Sequence, residues 1–355
     1  MDQDNCSSRC TELSKGQQRI THLYEFHLNG KHENEVAESE EADLQKHIVN
    51  CKKNPGHTNF IPYELFAIDH IPESHRDSDM FELIKVVADL TVLVTVKTIS
   101  KNRPEFWPGS TMKYPFYEDK GSKIIRFGSG QVNEVIQFTE GLGYDRHQKK
   151  REREYKTCIC EKCQYSEKPS PAWWEIVVRT ASHVVYDETE SELTSCRLFF
   201  DKHKSAEKVK FDKVKLLEVN VDEDWCLISY VFCGNDFAYR DKLFNKVMQR
   251  VDLWKKVCQK YQDSGDNFTF IVSHPHGCAK QISFGLCKNS IVLGKFDDQL
   301  DRAKIEYDTP TCPGSSGAPV RCVGLAVGHV HNGTMEGINY SGVSLVFRDG
   351  SPYVK

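Results

Sequence analysis

The sequence predicts a mainly β protein with one long helix inserted between two groups of strands. After about residue 120, short runs rich in β-branched and aromatic residues follow one another, from "KIIRFGSGQVNEVIQF" to "GVSLVF". Many short strands separated by turns favour a sandwich or a barrel over a parallel α/β sheet. Within residues 241–261, apolar side chains recur at helical spacing, which predicts an amphipathic helix packed on the core. The apolar stripe consists of Leu243, Phe244, Val247, Met248, Val251, Trp254 and Cys258.

The first 120 residues have a different character. Residues 1–60 are polar and contain the acidic run "ENEVAESEEAD" (33–43), so we expect helices or partial disorder there. A Pro/Gly-rich passage, residues 102–122, separates this part from the β-rich remainder. We therefore expect a smaller α+β or partly disordered N-terminal region of unknown role over 1–120, and a second unit over 121–355.

Composition excludes several classes of protein. The 355 residues carry a formal net charge of −4 with a pI near 6.4, which gives no general attraction to nucleic acid or to anionic membranes. The N-terminus lacks the apolar core of a secretion signal, and no apolar stretch reaches the roughly 18–20 residues that span a bilayer. We expect a soluble intracellular protein, most simply cytoplasmic, whose 14 cysteines are thiols rather than disulfides.

Three separate segments carry side chains suited to nucleophilic catalysis. "TCPGSSGAPV" (311–320) places Ser316 in a glycine-rich turn, "RTASH" ends in His183 just past an apolar run, and "VDEDWCLI" places Asp224 between two strand-like runs. A serine hydroxyl becomes a good nucleophile when a histidine accepts its proton and a carboxylate orients that histidine. The three residues supply these groups.

The motifs resemble those of chymotrypsin-fold serine peptidases, nearest the HtrA-like trypsin-type branch. "TASH" is similar to their histidine turn, "DWCLI" to their aspartate segment, and "GSSGAP" to their Gly-x-Ser-Gly-Gly-Pro nucleophile motif, with alanine for the second glycine. "RFGSGQV" (126–132) and "FIVSHPHG" (270–277) are further matches. The resemblance covers about residues 122–350.

The resemblance implies two antiparallel β-barrels of chymotrypsin type, the first over about 122–234 and the second over about 266–350, joined by a helix over about 236–262. The first barrel would supply His183 and Asp224, and the second Ser316.

The resemblance also implies the role of each site residue. Ser316 would attack the peptide carbonyl, His183 would act as general base and then acid, and Asp224 would hold the imidazole. The N–H groups of Gly314 and Ser316 would form the oxyanion hole. Relatives that mature from zymogens have an aspartate where this chain has Ser315, so we expect no trypsin-type zymogen activation.

Substrate preference is less determined by the sequence. "LAVGHVHNG" (325–333) would form one wall of the specificity pocket, with Pro310 nearby. His329 or His331 would then recognise a Gln or Glu side chain, as histidines do in picornavirus-type and glutamyl-specific peptidases; an exposed histidine at a loop tip is the alternative. Asp308 does not stand where a trypsin-like pocket aspartate belongs, so we expect no strict Arg/Lys preference.

A cysteine cluster predicts a structural metal site. "CICEKC" contains Cys158, Cys160 and Cys163, and three close thiolates commonly bind zinc with a fourth ligand, for which Cys196 is the candidate. Free thiols or a redox pair are the alternatives. Four thiolates leave no open position, so zinc would be structural and catalysis would need no cofactor.

Two functions therefore remain open. The first is a serine endopeptidase acting on protein or peptide substrates, without nucleic-acid or membrane partners. The alternative is a catalytically silent protein of the same fold that binds peptides or acts as a zinc-stabilised scaffold.

Overall fold

The computed structural model describes residues 31–39, 45–203, 209–234, 238–261, 267–325 and 328–348. Most of the polar N-terminal stretch, for which helices or partial disorder were predicted, lies outside the described residues. The described chain forms two antiparallel sheets with helices packed beside them.

Ten of the described strands form the first sheet. They are β2 (Glu35–Ala37), β4 (Thr91–Val96), β5 (Ile125–Thr139), β6 (Leu142–Tyr144), β7 (Lys150–Glu152), β8 (Ala172–Thr180), β9 (Thr194–Leu198), β10 (Val209–Asp212), β11 (Lys215–Asn220) and β12 (Trp225–Cys233). The main order is β10-β9-β4-β5-β8-β12-β11, with β2 and β6 paired to β5 and β7 paired to β6. Strand β5 spans 15 residues and changes register between Val132 and Glu134, which lets it pair with several neighbours in turn.

Nine of the described strands form the second sheet. They are β1 (Lys31–His32), β3 (Ile61–Pro62), β13 (Phe268–Ser273), β14 (Gln281–Lys295), β15 (Leu300–Tyr307), β16 (Val320–Cys322), β17 (His331–Met335), β18 (Ile338–Ser341) and β19 (Ser344–Phe347). Their order is β1-β17-β18-β15-β14-β13-β16, with β19 beside β15 and β3 beside β14. This mainly β arrangement of two antiparallel sheets confirms the predicted fold class.

The described helices are α1 (Gln45–Val49), α2 (Ser78–Leu90), α3 (Glu188–Glu192) and α4 (Arg240–Tyr261). Asp77 caps α2 by accepting the N–H groups of Asp79 and Met80. Helix α4 confirms the predicted amphipathic helix and buries Leu243, Val247 and Trp254. Phe244, expected in the buried stripe, is instead 41% exposed. None of the helices in the described residues is long and apolar enough to cross a membrane.

Residues before the predicted boundary near 120 belong to the same core as those after it. Strand β4 is hydrogen-bonded between β5 and β9, and all six of its residues are buried. Helix α2 packs against α4 and buries Leu83, Ile84 and Val87. The predicted boundary thus falls between two paired strands, β4 and β5, and the division into two units stays a prediction.

The first residues of the acidic run contain the short strand β2 where helices or partial disorder were expected, and residues 40–43 lie outside the described residues. Strand β1 belongs to the second sheet and β2, only two residues later, to the first, so residues 31–37 join the two sheets. We call these residues the bridging segment. Its charged residues Glu33 and Glu35 are buried. Among their partners, Lys53, His276 and His331 lie 20 or more residues away in sequence, and local helix propensity does not register them.

Candidate functional site

His183 and Asp224 meet beyond the end of β8 and just before β12. Nδ1 of His183 lies 2.8 Å from Oδ2 and 3.0 Å from Oδ1 of Asp224. The same carboxylate accepts the backbone N–H of His183 at 3.0 Å and the hydroxyl of Ser182 at 2.8 Å. Asp224 adopts a left-handed φ of 56°, which aspartate tolerates better than most residues. The carboxylate therefore orients the buried imidazole.

The pKa of Asp224 reflects its contact with His183. Burial pushes the pKa of Asp224 upward, but the charge and hydrogen bond of His183 outweigh burial and lower it below its usual value. On the other side of the ring, Nε2 of His183 is buried and bonds to none of the described residues. The Ser316 hydroxyl lies within donating distance of the Glu33 and Asn332 carbonyls, at 2.8 and 3.4 Å, and the described contacts do not join it to this nitrogen.

A buried ionic network supports the histidine turn. Arg103 donates to both carboxylate oxygens of Glu190, at 2.7 and 2.8 Å, and Arg126 lies 3.0 Å from the same carboxylate. Arg103 also donates to the carbonyl of His183 at 3.0 Å. Burial opposes ionisation of Glu190, yet Arg126 and Arg103 lower its pKa to about 2. Fixed charges therefore hold the turn that carries His183.

Ser316 lies in a tight turn between two glycines with left-handed backbones, Gly314 (φ 92°) and Gly317 (φ 85°). A Cβ on Gly314 would lie 2.6 Å from the carbonyl oxygen of His274, and one on Gly317 would lie 2.2 Å from Oγ1 of Thr180. Both positions therefore require glycine. The turn also contacts the first sheet, because Ser129 donates its backbone N–H to the Ser316 carbonyl and its hydroxyl to the Gly314 carbonyl, both at 2.8 Å.

Ser315 has a structural position in this turn. Its buried hydroxyl lies 3.1 Å from that of Ser273 and accepts the backbone N–H of Cys312 at 3.3 Å. These neutral bonds satisfy a site where an aspartate would need a cation. The expectation that trypsin-type activation is absent stays a prediction.

The bridging segment lies across these groups. Its strand β1 pairs with β17, with Lys31 opposite Thr334 and His32 opposite Gly333. The His32 ring packs edge-on against His183, with centroids 4.8 Å apart, and stacks on Trp107 at 4.9 Å. Histidine and nucleophile therefore both face consecutive residues of one extended segment.

The Glu33 carbonyl contacts two groups of the turn that carries Ser316. It accepts the Ser316 hydroxyl at 2.8 Å and the Gly314 N–H at 3.2 Å. Gly314 was predicted to supply one oxyanion-hole donor, and its N–H points to this carbonyl. The N–H of Ser316, the second predicted donor, forms no hydrogen bond with the part of the chain that the structure describes.

The Glu33 side chain fills a polar pocket beside the turn. Its carboxylate accepts Nε2–H of His331 at 2.7 Å and the Thr311 hydroxyl at 2.8 Å, and also binds the Lys53 ammonium. The Tyr307 hydroxyl lies 2.6 Å from Nδ1 of His331 and fixes the ring. Burial opposes ionisation of Glu33, but His331 and Lys53 lower its pKa to about 2.

The other two predicted pocket residues lie elsewhere. His329 is buried with Nδ1 3.0 Å from the Ser341 hydroxyl, and it lines a separate cavity. The Pro310 carbonyl accepts the Ser283 hydroxyl at 2.7 Å, and Pro310 lines a surface depression with Asp308 and Thr58. One residue of register separates Pro310 from Thr311, which does contact Glu33.

No family model matches this sequence, and no curated protein matches it. Among solved structures, the chain is similar to the Rv3671c protease from M. tuberculosis in its active form, with a TM-score of 0.36, 9% identity, and coverage of 74% of this chain and 79% of that one. For the inactive form of the Rv3671c protease, the TM-score is 0.34 and the identity 9%, with coverage of 74% of this chain and 87% of that one. For an HtrA-type protease, AlgWS227A with a decapeptide, the TM-score is 0.35 and the identity 11%, with coverage of 75% of this chain and 63% of that one.

Three of the four predicted metal ligands come together with a different fourth cysteine. Sγ of Cys233 lies 3.6 Å from Sγ of Cys160 and 3.4 Å from Sγ of Cys163, and Cys158 completes the four-cysteine group within 4.8 Å. Cys196, the predicted fourth ligand, is buried inside the first sheet opposite Val94 and Phe211. The expectation for Cys196 is corrected because strand pairing, rather than proximity along the chain, brings β12 to this knuckle.

A second group of ligand atoms lies behind the nucleophile turn and was not expected from the sequence. The Cys/His group consists of Cys51, His57, His276 and Cys312, whose ligand atoms all lie within 4.8 Å of one another. Sγ of Cys312 lies 3.5 Å from both Sγ of Cys51 and Nε2 of His57. His276 binds Glu35 through Nδ1 at 2.5 Å, and its ring also interacts with the Cys51 thiol. No short motif joins these residues, since Cys51 and Cys312 are 261 positions apart.

Proposed function

We propose that this chain is a serine endopeptidase that hydrolyses peptide bonds through Ser316, His183 and Asp224. One observation carries the proposal: an extended peptide lies with its carbonyl oxygen between the Ser316 hydroxyl and the Gly314 N–H, while the preceding residue packs on the Asp224-bound imidazole. The Ser316 hydroxyl and the Gly314 N–H thus contact one peptide carbonyl, and the residue before it packs on the imidazole.

The chemistry follows from these positions. The Ser316 hydroxyl, which donates to the Glu33 carbonyl in this structure, must first turn toward Nε2 of His183. Ser316 Oγ then attacks the carbonyl carbon as its proton passes to Nε2 of His183, and Asp224 stabilises the resulting imidazolium. The Gly314 N–H stabilises the oxyanion. His183 then protonates the leaving amine, and water hydrolyses the acyl-enzyme with His183 again as base.

Active-site labelling tests this proposal. We expect a fluorophosphonate probe to modify Ser316, most readily in Glu33→Ala, where the side chain that anchors the bridging segment is removed. Labelling should vanish in Glu33→Ala/Ser316→Ala and persist in Glu33→Ala/Ser290→Ala, whose altered hydroxyl lies on an exposed position of β14. An unlabelled Ser316 in folded Glu33→Ala would favour the silent peptide-binding alternative.

We also propose that the four-cysteine group and the Cys/His group each bind a structural zinc ion. Both offer four convergent ligands, which is the closed set of a structural site. In the Cys/His group, Glu35 orients His276 as a carboxylate behind a zinc-binding histidine does. Asn54 supports both thiolates, donating its N–H to Cys51 at 3.3 Å and its side-chain amide to Cys312 at 3.1 Å.

Metal analysis of the purified chain tests the zinc sites without measuring activity. We expect about two zinc ions per native chain and about one in either Cys233→Ser or His57→Ala. Cys196→Ala and Cys258→Ala, which alter buried cysteines outside both groups, should keep the native content. Cobalt in Cys233→Ser should show the spectrum of two thiolates and two imidazoles, and an absent band there argues against the Cys/His site even where His57→Ala misfolds.

A further inference from the structure

The bridging segment is arranged as a substrate of the site that it covers. On the N-terminal side of Glu33, it pairs antiparallel with β17; on the C-terminal side, it pairs with β5, with Glu35 opposite Phe127 and Ala37 opposite Ile125. The peptide bond between Glu33 and Asn34 therefore lies where the chain crosses the cleft. Its carbonyl is the one that contacts Ser316.

The pocket around Glu33 is built for a carboxylate. His331 and Thr311 are completely buried and supply neutral donors, while Lys53 supplies a full charge and is held by the hydroxyl of Thr311 (2.9 Å) and the amide oxygen of Asn339 (2.8 Å). The Lys53 side chain is 26% exposed, so its charge is only partly desolvated. All three neighbours of the Glu33 carboxylate donate hydrogen bonds to it, so a glutamine would have to turn its own NH2 donor toward one of them and an apolar side chain would accept none. The pocket thus discriminates glutamate from glutamine.

We propose that the protein cleaves its own chain between Glu33 and Asn34, and that the same pocket makes it selective for glutamate on the acyl side of the scissile bond. This inference rests on the proposed peptidase function. Ser316 Oγ bonds to the Glu33 carbonyl carbon, the Glu33–Asn34 C–N bond breaks, and His183 delivers the serine proton to the Asn34 nitrogen. Water then hydrolyses the ester, leaving a carboxylate at Glu33 and a free amine at Asn34.

Intact-mass analysis of freshly purified full-length chain tests self-cleavage. We expect fragments that end at Glu33 and begin at Asn34, formed at a rate independent of protein concentration, and no such fragments in Ser316→Ala. Glu33→Ala should be cleaved at least about 10-fold more slowly, because it loses charged hydrogen bonds. Glu38→Ala, an exposed glutamate in the same stretch, should be cleaved like the native chain.

The failures of the two proposals are distinguishable. If Glu33→Ala is labelled at Ser316 while the native chain stays intact, the peptidase proposal stands and the bridging segment is an inhibitor, which overturns self-cleavage. For selectivity, we expect Glu33→Ala to cut glutamyl peptides in preference to glutaminyl ones, and Glu33→Ala/Lys53→Met to lose about 10-fold of that preference. Equal rates for both peptides before the Lys53 change would overturn the carboxylate pocket.

An independent feature lies between helix α4 and the two sheets. A cavity of about 370 Å³ is lined by four guanidinium groups, those of Arg146, Arg179, Arg250 and Arg321. Within the described residues, none of the four forms an ion pair with a carboxylate. Arg250 and Arg321 instead share the side-chain oxygen of Gln131, at 3.0 and 2.6 Å.

The cavity has unused donors as well as excess charge. Nε of Arg179, Nε of Arg321 and Nε2 of His329 are buried and have no hydrogen-bond partner among the described residues. Burial and the neighbouring charges of Arg146 and Arg321 lower the pKa of Arg250 well below its usual value. Guanidinium groups do not lose their protons in proteins, so such a cluster requires anionic compensation.

We infer that this cavity binds a small anion carrying several phosphate groups. Guanidinium groups bind phosphate through paired hydrogen bonds, and several of them directed at one space match a multiply charged ligand. Arg179 is on β8, four residues before His183, so the ligand would contact the strand that leads to the catalytic histidine.

Calorimetric titration with inositol hexakisphosphate tests this site, with inorganic phosphate for comparison. We expect the hexakisphosphate to bind at least about 10-fold more tightly than phosphate, and Arg321→Met or Arg250→Met to weaken it by about 10-fold or more. Arg76→Met, a partly exposed arginine outside the cavity, should leave binding unchanged. Absent binding, or equal binding in all variants, overturns the inference.

A measurement without ligand guards against misfolding of the variants. If the arginines await an anion, removing one relieves repulsion, and ligand-free Arg321→Met should melt at a higher temperature than the native chain. A lower melting temperature would show that the arginine is a structural support and would contradict the inference.

Discussion

The two sides of the cleft are built in different ways. The His183 side is supported by a buried ionic network in which Arg126 of β5, Glu190 of α3 and Arg103 of the β4–β5 connection meet beneath the histidine turn. The Ser316 side depends on residues 33–57: Lys53 and Glu33 in the pocket, and Cys51 and His57 behind the turn. One side therefore rests on an ionic network beside the first sheet, whereas the other is completed by the segment from the bridging residues to His57.

This difference teaches where control of the site resides. A change on the His183 side should act on the stability of the whole fold. A change on the Ser316 side should act on the alignment of the turn and on the docked segment. Four predictions break or sharpen this contrast.

The largest effect is expected from Glu190→Ala. The substitution leaves two buried guanidinium groups without their counter-ion, which typically costs about 3–5 kcal/mol of unfolding free energy. Chemical denaturation measures the loss. Glu192→Ala, an exposed position on the same helix α3, should stay within about 0.5 kcal/mol of the native chain. A similar small change for Glu190→Ala would contradict the ionic support of this side.

Gly314→Ala should impair turnover more than stability. The added Cβ would meet the His274 carbonyl oxygen at 2.6 Å and displace the N–H that contacts the Glu33 carbonyl. Loss of one such donor lowers kcat by about 10²–10³-fold, or about 2.7–4 kcal/mol. Steady-state kinetics on a glutamyl peptide measures it. Gly337→Ala is the matched control, because Gly337 also has a positive φ (86°) but open space around it.

Ser129→Ala tests the contact between the two sides. The Ser129 hydroxyl donates to the Gly314 carbonyl and accepts the His274 N–H at 2.9 Å, so its removal leaves buried polar groups unsatisfied. We expect a loss of about 1–3 kcal/mol in unfolding free energy, together with slower turnover. Loss of stability with native kcat would show that the two sides are aligned by other contacts.

The smallest expected effect, counted per pH unit, is the pH dependence with which the bridging segment docks in the cleft. The pKa of Glu33 falls from 4.5 to about 2 in the folded chain, so its contribution is complete above about pH 4.5 and is lost as pH falls toward 2. Within that window, each pH unit lowers the contribution of Glu33 to the docking free energy by about 1.4 kcal/mol. Hydrogen exchange of residues 31–37 in Ser316→Ala measures docking. Glu33→Gln/Ser316→Ala cannot titrate at this position, so its docking should lack this dependence while the titration of Glu190 remains.

The sequence predicted the features that are local or periodic. Short strands, helix α4 and the glycine-rich turn follow from residue spacing, and His331 was among the pocket candidates. The sequence did not indicate that Lys53 and Glu33 belong to this pocket, because Glu33 and His331 are 298 positions apart and no local pattern links them. Cys233 was missed for a related reason: it pairs opposite Trp173, and the register of β12 on β8 is not visible in one sequence. The pocket prediction for Pro310 missed by one position for the same reason, because the neighbouring residue Thr311 is the one that contacts Glu33.

The bridging segment also determines how often its own bond can be cut. Each molecule carries one copy of residues 31–37, covalently tethered in place, so the first turnover consumes the tether and no second one exists in that molecule. The remaining strand ends would be held only by ladder hydrogen bonds and side-chain contacts, and dilution would favour departure of the upstream piece. Exposure of the cleft would then be irreversible, and its timing would depend on the age of the molecule rather than on its concentration.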